Sequence, residues 1–432
     1  MNYQETLTYL YEQLPMFSHI GATAIKKDLA NTLKLCAYLN NPQDRIRTVH
    51  IAGTNGKGST SHFLSAILQT AGYKTGLYTS PHIKDFRERI KVNGDMCSEA
   101  FIVDFVEKTK PAIEEIQPSF FEITVAMAFA YFAQEKVDIA VIETGLGGRL
   151  DSTNIIHPDL SVITNIGWDH MDLLGDSLEL IASEKAGIIK ASTPVVIGEY
   201  LPETLPVFIQ KAAGMHAPIY FAQDHWKIIS TQSNPEALQL EVKHLDRNTT
   251  YTFQLDLTGL YQQENLITVL ESCERLAELG WNVGMKTIQK AAAHIKKLTH
   301  LHGRWEVLER NPYLIIDVGH NKNGMAEIVR SLQTTPYEKL YVICGFVKDK
   351  DVASVLEILP VDARYIYTQA HIPRALPVNE LASIGKAIHR KGFDFDDVNE
   401  AIAYAKSKAA KEDLILVCGS FFVVAEMEGY EL

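Results

Sequence analysis

The sequence predicts an α/β protein with a larger N-terminal domain, built on a mostly parallel sheet covered by helices, and a smaller α/β domain after it. Three observations carry this. Short apolar runs of strand length alternate with helical stretches through the first half of the chain, the pattern that right-handed crossovers of a parallel sheet produce. One strand-to-helix junction is rich in glycine, Gly53-Thr54-Asn55-Gly56-Lys57-Gly58-Ser59-Thr60. After the polar, histidine-bearing stretch Lys296 to Gly303 a fresh strand–helix alternation begins, which places a domain boundary there and gives domains of residues 1–298 and 299–432.

Length agrees, because 432 residues exceed what one hydrophobic core usually serves. A formal net charge of −12 argues against nonspecific binding to nucleic acid or to an anionic membrane. No apolar run approaches the roughly 20 residues that span a bilayer, and Met1 to Leu14 is polar and aromatic rather than signal-like. The expectation is therefore a cytoplasmic protein, and nothing in the sequence demands more than a monomer. The five cysteines, Cys36, Cys97, Cys273, Cys344 and Cys418, are far apart and mostly in apolar surroundings, which suits reduced core residues rather than a zinc cluster.

In chain order, helices are predicted at Tyr3 to Gln13 and Ala24 to Leu39, the second with Leu29, Leu33, Cys36 and Leu39 on one stripe. Ile46 to Ile51 reads as a buried strand leading into the glycine loop, and Phe63, Leu64, Ile67 and Leu68 mark an amphipathic helix after it. Thr75 to Thr79 is a second buried strand that delivers Ser80-Pro81-His82 at its C-terminal end, where ligands bind in open α/β sheets. Ile90 to Val92 ends in an Asn93-Gly94 turn. A helix from about Ser98 and an apolar helix Phe120 to Gln134 follow. Strand Val137 to Glu143 runs into Thr144-Gly145-Leu146-Gly147-Gly148-Arg149, and strand Leu160 to Ile166 into Gly167-Trp168-Asp169-His170. A helix from Ser177 carries Glu184, Lys185 and Lys190. Between Trp226 and Leu257 the texture changes to short alternating stretches, read as a small antiparallel sheet. Helices Gln262 to Leu279 and Met285 to Ile295 close the first domain. The second has strands at Arg304 to Glu309, Tyr313 to Asp317, Leu340 to Gly345, Arg364 to Thr368 and Leu414 to Cys418.

Strand, glycine loop and helix together are a phosphate site. Glycines let successive N–H groups curve around an anion, the helix N-terminus adds its positive end, and Lys57 supplies a mobile charge. We read Gly53 to Thr60 as an ATP site. The usual loop puts Ser or Thr directly after the lysine to reach magnesium, whereas here Gly58 intervenes, so other residues must help hold the metal. The strand ends present Ser80, Glu143 and His170, a hydroxyl, a carboxylate and an imidazole suited to nucleotide-bound Mg2+. Taken singly, Glu143 could equally cap the following loop and His170 could serve Asp169 or Asp172. The cations Lys84, Arg87, Arg89 and Lys91 could draw in an anionic substrate or form a solvated basic loop.

These residues resemble a known family. Gly53 to Ser59, Thr79-Ser80-Pro81-His82, Glu88-Arg89-Ile90, Phe121-Glu122 with Thr124, Glu143 to Asp151, Asp169-His170, Glu184-Lys185-Ala186-Gly187-Ile188 and Asp317-Val318-Gly319-His320-Asn321 are similar to the motifs of folylpolyglutamate synthases and bifunctional dihydrofolate synthases. The resemblance covers nearly the whole chain. It implies a Mur-ligase-like phosphate-loop domain with a Rossmann-like C-terminal domain, and an ATP-dependent ligase that joins L-glutamate to dihydropteroate, to folates, or to both. It also implies a set of roles. Ser80, Glu143 and His170 match metal positions for two Mg2+ ions, and Lys185 matches a lysine that the family carbamylates. Asn265, Arg304 and Asp317 match ATP contacts, which would lay the nucleotide across the cleft between the domains. His320 is a charge stabiliser or proton carrier, or else a turn histidine bonded to backbone. Phe121, Glu122, Asp151 and Ser152 belong to the expected substrate pocket, although an aromatic in an apolar helix is more often plain core. Lys322 follows Asn321 where the family often has proline. Two rivals remain: a Mur-type ligase of cell-wall precursors, against which Gly58 and Phe121-Glu122 argue, and a nucleotide-dependent binding protein without a transferase product.

Overall fold

A computed structural model describes residues 1–14 and 28–430. These residues fold into two compact units: Met1–Ser230 with Leu240–Gln254 and Gln263–His300, and Thr231–Gln239 with Leu255–Gln262 and Leu301–Leu432.

The first unit is organised on an eight-stranded sheet in the order β4-β3-β2-β5-β1-β6-β7-β8. The strands are β1 Thr48–Ala52, β2 Thr75–Tyr78, β3 Ile90–Val92, β4 Asp95–Met96, β5 Ile139–Glu143, β6 Leu160–Ile163, β7 Val195–Ile197 and β8 Ile219–Phe221. From β2 to β8 neighbours run parallel, and β3 and β4 close one edge as an antiparallel hairpin. Strands β1, β2, β5, β6 and β7 are buried along their whole length, which is why they read as unbroken apolar runs rather than alternating ones. One packed cluster centres on Phe105, Ile123, Phe129 and Phe132, and another on Ile163, Ile181, Ile188 and Phe208. The chain leaves β1 for β2, returns to β5 between them, and then crosses to β6 on the other side of β1. That reversal opens a crevice at the C-terminal ends of the central strands.

Several elements differ from the expected spans. The helix after the glycine loop, Lys57–Thr70, is buried at every position from Gly58 to Leu68 rather than along one stripe, because β1, β2 and β5 flank it together with the helices Met285–Ala292 and Ile295–Thr299. The helix expected over Ala24 to Leu39 spans Ala30–Tyr38, and residues 24–27 lie outside the described residues. Strand β6 stops at Ile163, three residues short of the expected end, and the helix Leu178–Lys185 ends before Lys190. Met285 to Ile295 is broken at Ala293-His294, with a separate helix Ile295–Thr299 inside the stretch read as a polar boundary.

Strands β9 Trp226–Ser233, β10 Leu238–His244 and β11 Thr249–Leu255 make the small antiparallel sheet. The second unit contains a six-stranded sheet in the order β12-β13-β17-β14-β15-β16. Its strands are β12 Glu306–Glu309, β13 Tyr313–Ile316, β14 Leu340–Cys344, β15 Arg364–Tyr367, β16 Gly392–Asp394 and β17 Leu414–Cys418. Only the β12–β13 pair is antiparallel. All five cysteines are buried free thiols. Among the described residues no helix is long and apolar enough to cross a membrane.

Candidate active site

The glycine loop leaves β1 and is clamped by the loop after β6, because β6 is hydrogen-bonded to β1. Thr54 N donates to Asn165 O at 3.0 Å and Asn55 N to Asn165 Oδ1 at 2.9 Å. Thr164 Oγ1 donates to Asn55 O at 2.6 Å, and Thr54 Oγ1 accepts from Gly167 N at 2.9 Å. Gly56 has φ +80°, and a Cβ there would lie 2.2 Å from Asn265 Oδ1. At Gly53 a Cβ would lie 1.8 Å from Thr164 Oγ1. Both positions need glycine, and the loop has the open backbone curvature of an anion cradle at a helix N-terminus. Lys57 Nζ reaches back over the loop to Gly53 O at 3.1 Å and Thr54 O at 3.2 Å.

Lys185 meets the same loop from the end of its helix. Its side chain is buried, and Nζ donates to Gly53 O at 2.8 Å. Burial, reinforced by the like charge of Lys57, pushes its pKa down to about 7, against the opposing pull of Asp169 and Asp151. A buried lysine with this pKa is substantially neutral near pH 7.5 and therefore nucleophilic.

The strands β2, β5, β1 and β6 are consecutive in the sheet and parallel, so the residues following them emerge at one edge. Ser80, Glu143, the glycine loop and His170 thus come from four neighbouring strand ends. Ser80 N donates to Glu143 Oε2 at 3.2 Å, so the hydroxyl-bearing residue and the carboxylate adjoin directly. His170 adopts φ +51° and opens the short helix Met171–Leu174, and its N donates to Asp169 Oδ1 at 2.9 Å. A hydroxyl, a carboxylate and an imidazole match Mg2+ chemistry with one unusual nitrogen donor. Among the described residues no group of three or more His, Cys, Asp and Glu side chains is placed to hold a metal ion.

The expected substrate residues prove to be firmly tied to the fold. Asp151 is buried, and its Oδ2 accepts from Gly145 N at 2.9 Å and Leu146 N at 2.8 Å. Its Oδ1 accepts from Thr153 N at 3.0 Å and Thr153 Oγ1 at 2.5 Å. Burial raises its pKa despite those four donors. Ser152 begins the short 3-10 turn that Asp151 caps. Phe121 lies against Gly145, where a Cβ would come within 2.4 Å of its ring. Glu122 completes the capping box of its own helix, accepting from Ser119 N at 2.6 Å, and also accepts from Asn31 Nδ2 at 3.3 Å.

The cation run is engaged internally. Arg87 pairs with Asp85 at 2.7 Å, and the buried Arg89 donates from Nε to His82 Nδ1 at 2.8 Å. Lys91, also buried, donates to Thr299 O and His300 O, each at 3.0 Å. Arg87, Arg89 and Lys91 therefore hold the fold together rather than forming a solvated loop.

In the second unit Asp317 follows β13. Its Oδ2 accepts from Tyr261 Oη at 2.6 Å and Trp305 N at 2.9 Å, and its Oδ1 from Gly319 N at 2.8 Å. Arg304 sits with its guanidinium 5.2 Å from the Phe421 ring. His320 donates from Nδ1 to Val318 O at 3.0 Å, and Asn321 caps the helix Lys322–Gln333 through Gly324 N at 2.8 Å. Lys322 is accommodated as the first residue of that helix. Thr164 and Asn165 are not marked by any local signal in the sequence. They follow β6, and only the β1–β6 pairing, which the sequence does not display, brings them to the glycine loop.

Fold and site together define a phosphate-loop ligase assembled from a nucleotide-binding domain and a second α/β domain. Residues 51–273 match the Mur ligase middle domain, and residues 303–421 match the Mur ligase glutamate ligase domain. The chain is 33% identical over 434 residues to the dihydrofolate synthase/folylpolyglutamate synthase of Bacillus subtilis, covering 98% of each chain. It superposes on the Mycobacterium tuberculosis folylpolyglutamate synthase complexed with ADP and AMPPCP with a TM-score of 0.87 at 28% identity, covering 98% of both chains. The Escherichia coli FolC protein in complex with DHPP and ADP gives a TM-score of 0.84 at 29% identity, covering 98% of this chain and 96% of that one. The chain belongs to the dihydrofolate synthase/folylpolyglutamate synthase family of Mur ligases, and it is an ATP-dependent amide-forming ligase.

Proposed function

We propose that the protein joins the amino group of L-glutamate to a carboxylate of dihydropteroate, of a folate, or of both, as a monomer in the cytoplasm. The observation that carries this reading is the glycine cradle at the end of β1 with two lysines converging on one loop carbonyl, Lys57 at 3.1 Å and Lys185 at 2.8 Å from Gly53 O. It is supported by relatives that match 98% of the chain.

A carboxylate does not condense with an amine at neutral pH, because its leaving group would be an oxide. Attack by the acceptor carboxylate on the terminal phosphorus of ATP releases ADP and gives an acyl phosphate, whose leaving group is phosphate. In this reading the N–H groups of Gly53 to Thr60 bind the triphosphate and Lys57 follows the charge on the phosphoryl group as it transfers. Ser80, Glu143 and His170 would hold two Mg2+ ions, which supply charge neutralisation when bound. Lys185, with its depressed pKa, is suited to carbamylation, in which its neutral amine would add to CO2 and release a proton, giving a carboxylate that could help hold the metals. Asn265, beside Gly56, and Arg304 and Asp317 of the second unit would contact the nucleotide. Phe121, Glu122, Asp151 and Ser152 form or support the acceptor pocket, with Phe121 offering a ring face to the pterin. The glutamate amine then attacks the acyl carbon, phosphate leaves, and His320 is placed to carry a proton or to stabilise charge.

The test is a substrate panel of dihydropteroate and tetrahydrofolate, each with ATP, Mg2+ and L-glutamate, read by product mass. A gain of one glutamyl residue on either acceptor, dependent on ATP, is the expected result. Phosphate release that ignores both acceptors would overturn it.

A further inference from the structure

Behind the acceptor loop lies a chain of buried polar groups that starts in the middle of β1. His50 is fully buried, and its Nε2 lies 2.8 Å from Thr153 Oγ1, while its Nδ1 is buried without a hydrogen-bond partner among the described residues. Thr153 Oγ1 in turn lies 2.5 Å from Asp151 Oδ1. The direction of this chain follows from donor counting. Were Asp151 protonated and donating to Thr153, the threonine hydroxyl would donate to Nε2 and the imidazole proton would sit on Nδ1, a buried N–H with no acceptor. That arrangement is the costly one. With the chain reversed, His50 Nε2–H donates to Thr153, Thr153 donates to an ionised Asp151, and Nδ1 keeps a lone pair. Burial holds the imidazole neutral, with a pKa pushed down to about 3, so the direction does not change across the working pH range.

The far end of the chain is the loop itself. Asp151 Oδ2 gathers Gly145 N and Leu146 N, the first two residues past Thr144, and so sets the turn on which Phe121 rests and which follows Glu143. Its other oxygen, Oδ1, is held by two Thr153 donors, the backbone N–H at 3.0 Å and the hydroxyl at 2.5 Å, and the hydroxyl is the shorter contact and the one that can turn away. The threonine rotor is fixed in its turn by His50.

We propose that His50 is a positioning residue for acceptor binding, acting through Thr153 and Asp151 on the Gly145-Leu146 turn. The proposal rests on the reading of that turn and Phe121 as the acceptor pocket. The steady-state test compares His50→Leu, His50→Gln and Thr153→Val for acceptor KM, ATP KM and kcat, with thermal unfolding in parallel. Leucine has a similar bulk but no donor, whereas glutamine can place an amide N–H near the Nε2 position. His50→Leu is expected to raise acceptor KM about tenfold while ATP KM stays within about twofold, the size that follows from leaving one buried acceptor unpaired. His50→Gln should recover most of the loss. Thr153→Val should match His50→Leu, and the double variant should be no worse than either single one, because both break the same chain.

A merely structural histidine would lower stability and leave acceptor KM alone, or move both KM values together, and either result in folded protein overturns the proposal. If His50→Leu does not fold, Thr153→Val carries the same test. The 15N shifts of His50 give a readout independent of turnover: a neutral ring protonated at Nε2 at pH 6 is expected, and an Nδ1–H or doubly protonated ring overturns the proposal. Phe121→Ala separates the two readings. An unchanged acceptor KM in Phe121→Ala would sink the pocket assignment, whereas a changed one beside an unchanged His50→Leu would sink only the relay.

Discussion

Replacing Lys185 by methionine should convert the cost of its burial into a measurable pH dependence. In the folded protein the amine has a pKa of about 7, whereas an unfolded lysine keeps its ordinary value of 10.5. Below pH 7 both states carry the proton and the penalty for burying the charge is complete. Between the two values the unfolded state binds one proton more than the folded state, so raising the pH stabilises the fold. Above 10.5 the two states agree again and the gain stops. One proton of difference corresponds to about 1.4 kcal/mol per pH unit, so the gain across the whole window is on the order of 5 kcal/mol. The methionine variant lacks this contribution, while all other titrating groups are shared and cancel in the comparison. Denaturant unfolding of both proteins in CO2-free buffer at pH 7.5 and 9.5 should show the stability of the parent rising relative to the variant by about 3 kcal/mol. Added bicarbonate should stabilise the parent further over the variant without flattening that rise, because the unfolded lysine still binds the extra proton, and 13C-labelled bicarbonate should give a carbamate resonance that the variant lacks. Parallel stability curves for the two proteins would refute the depressed pKa, and with it the chemical case for carbamylation.

Other substitutions follow from the same geometry. Lys57→Ala should lower the rate of ligation by about 10²–10³-fold, the usual loss when one charge stabiliser is removed. Among the described residues its Nζ bonds are to two loop carbonyls, so unfolding should move by only about 1 kcal/mol, checked by thermal melts beside the kinetics. Gly56→Ala forces a side chain into φ +80° and against Asn265, and should destabilise by about 2 kcal/mol or more while weakening nucleotide binding in a calorimetric titration. Glu143→Gln should raise the Mg2+ concentration for half-maximal activity by on the order of tenfold or more, with the thermal midpoint little changed.

The glycine cradle and the strand ends were legible because each is written in consecutive residues. An apolar run, glycines and a lysine are local signals, and the parallel sheet follows from their alternation. Sheet order is not local. Nothing in Leu160 to Asn165 announces that β6 lies beside β1, so Thr164 and Asn165 looked like a strand end rather than the clamp of the phosphate loop. The cations Arg87, Arg89 and Lys91 left open a reading as a basic patch because their partners, Asp85, His82 and the carbonyls of Thr299 and His300, become evident only in the fold. Only the family resemblance marks Phe121 and Asp151 as pocket residues. Their support of the Gly145 turn, and the buried histidine behind it, depend on side-chain directions that a sequence does not carry.

The central claim is that main-chain N–H groups and one ammonium hold the triphosphate. A crystal structure with a nonhydrolysable ATP analogue and Mg2+ tests it most directly. The β- and γ-phosphates should accept from the N–H groups between Asn55 and Ser59, with Lys57 Nζ turned from its loop carbonyls to a phosphate oxygen. A fully occupied nucleotide bound elsewhere, with Gly53 to Thr60 making no phosphate contact, would contradict it.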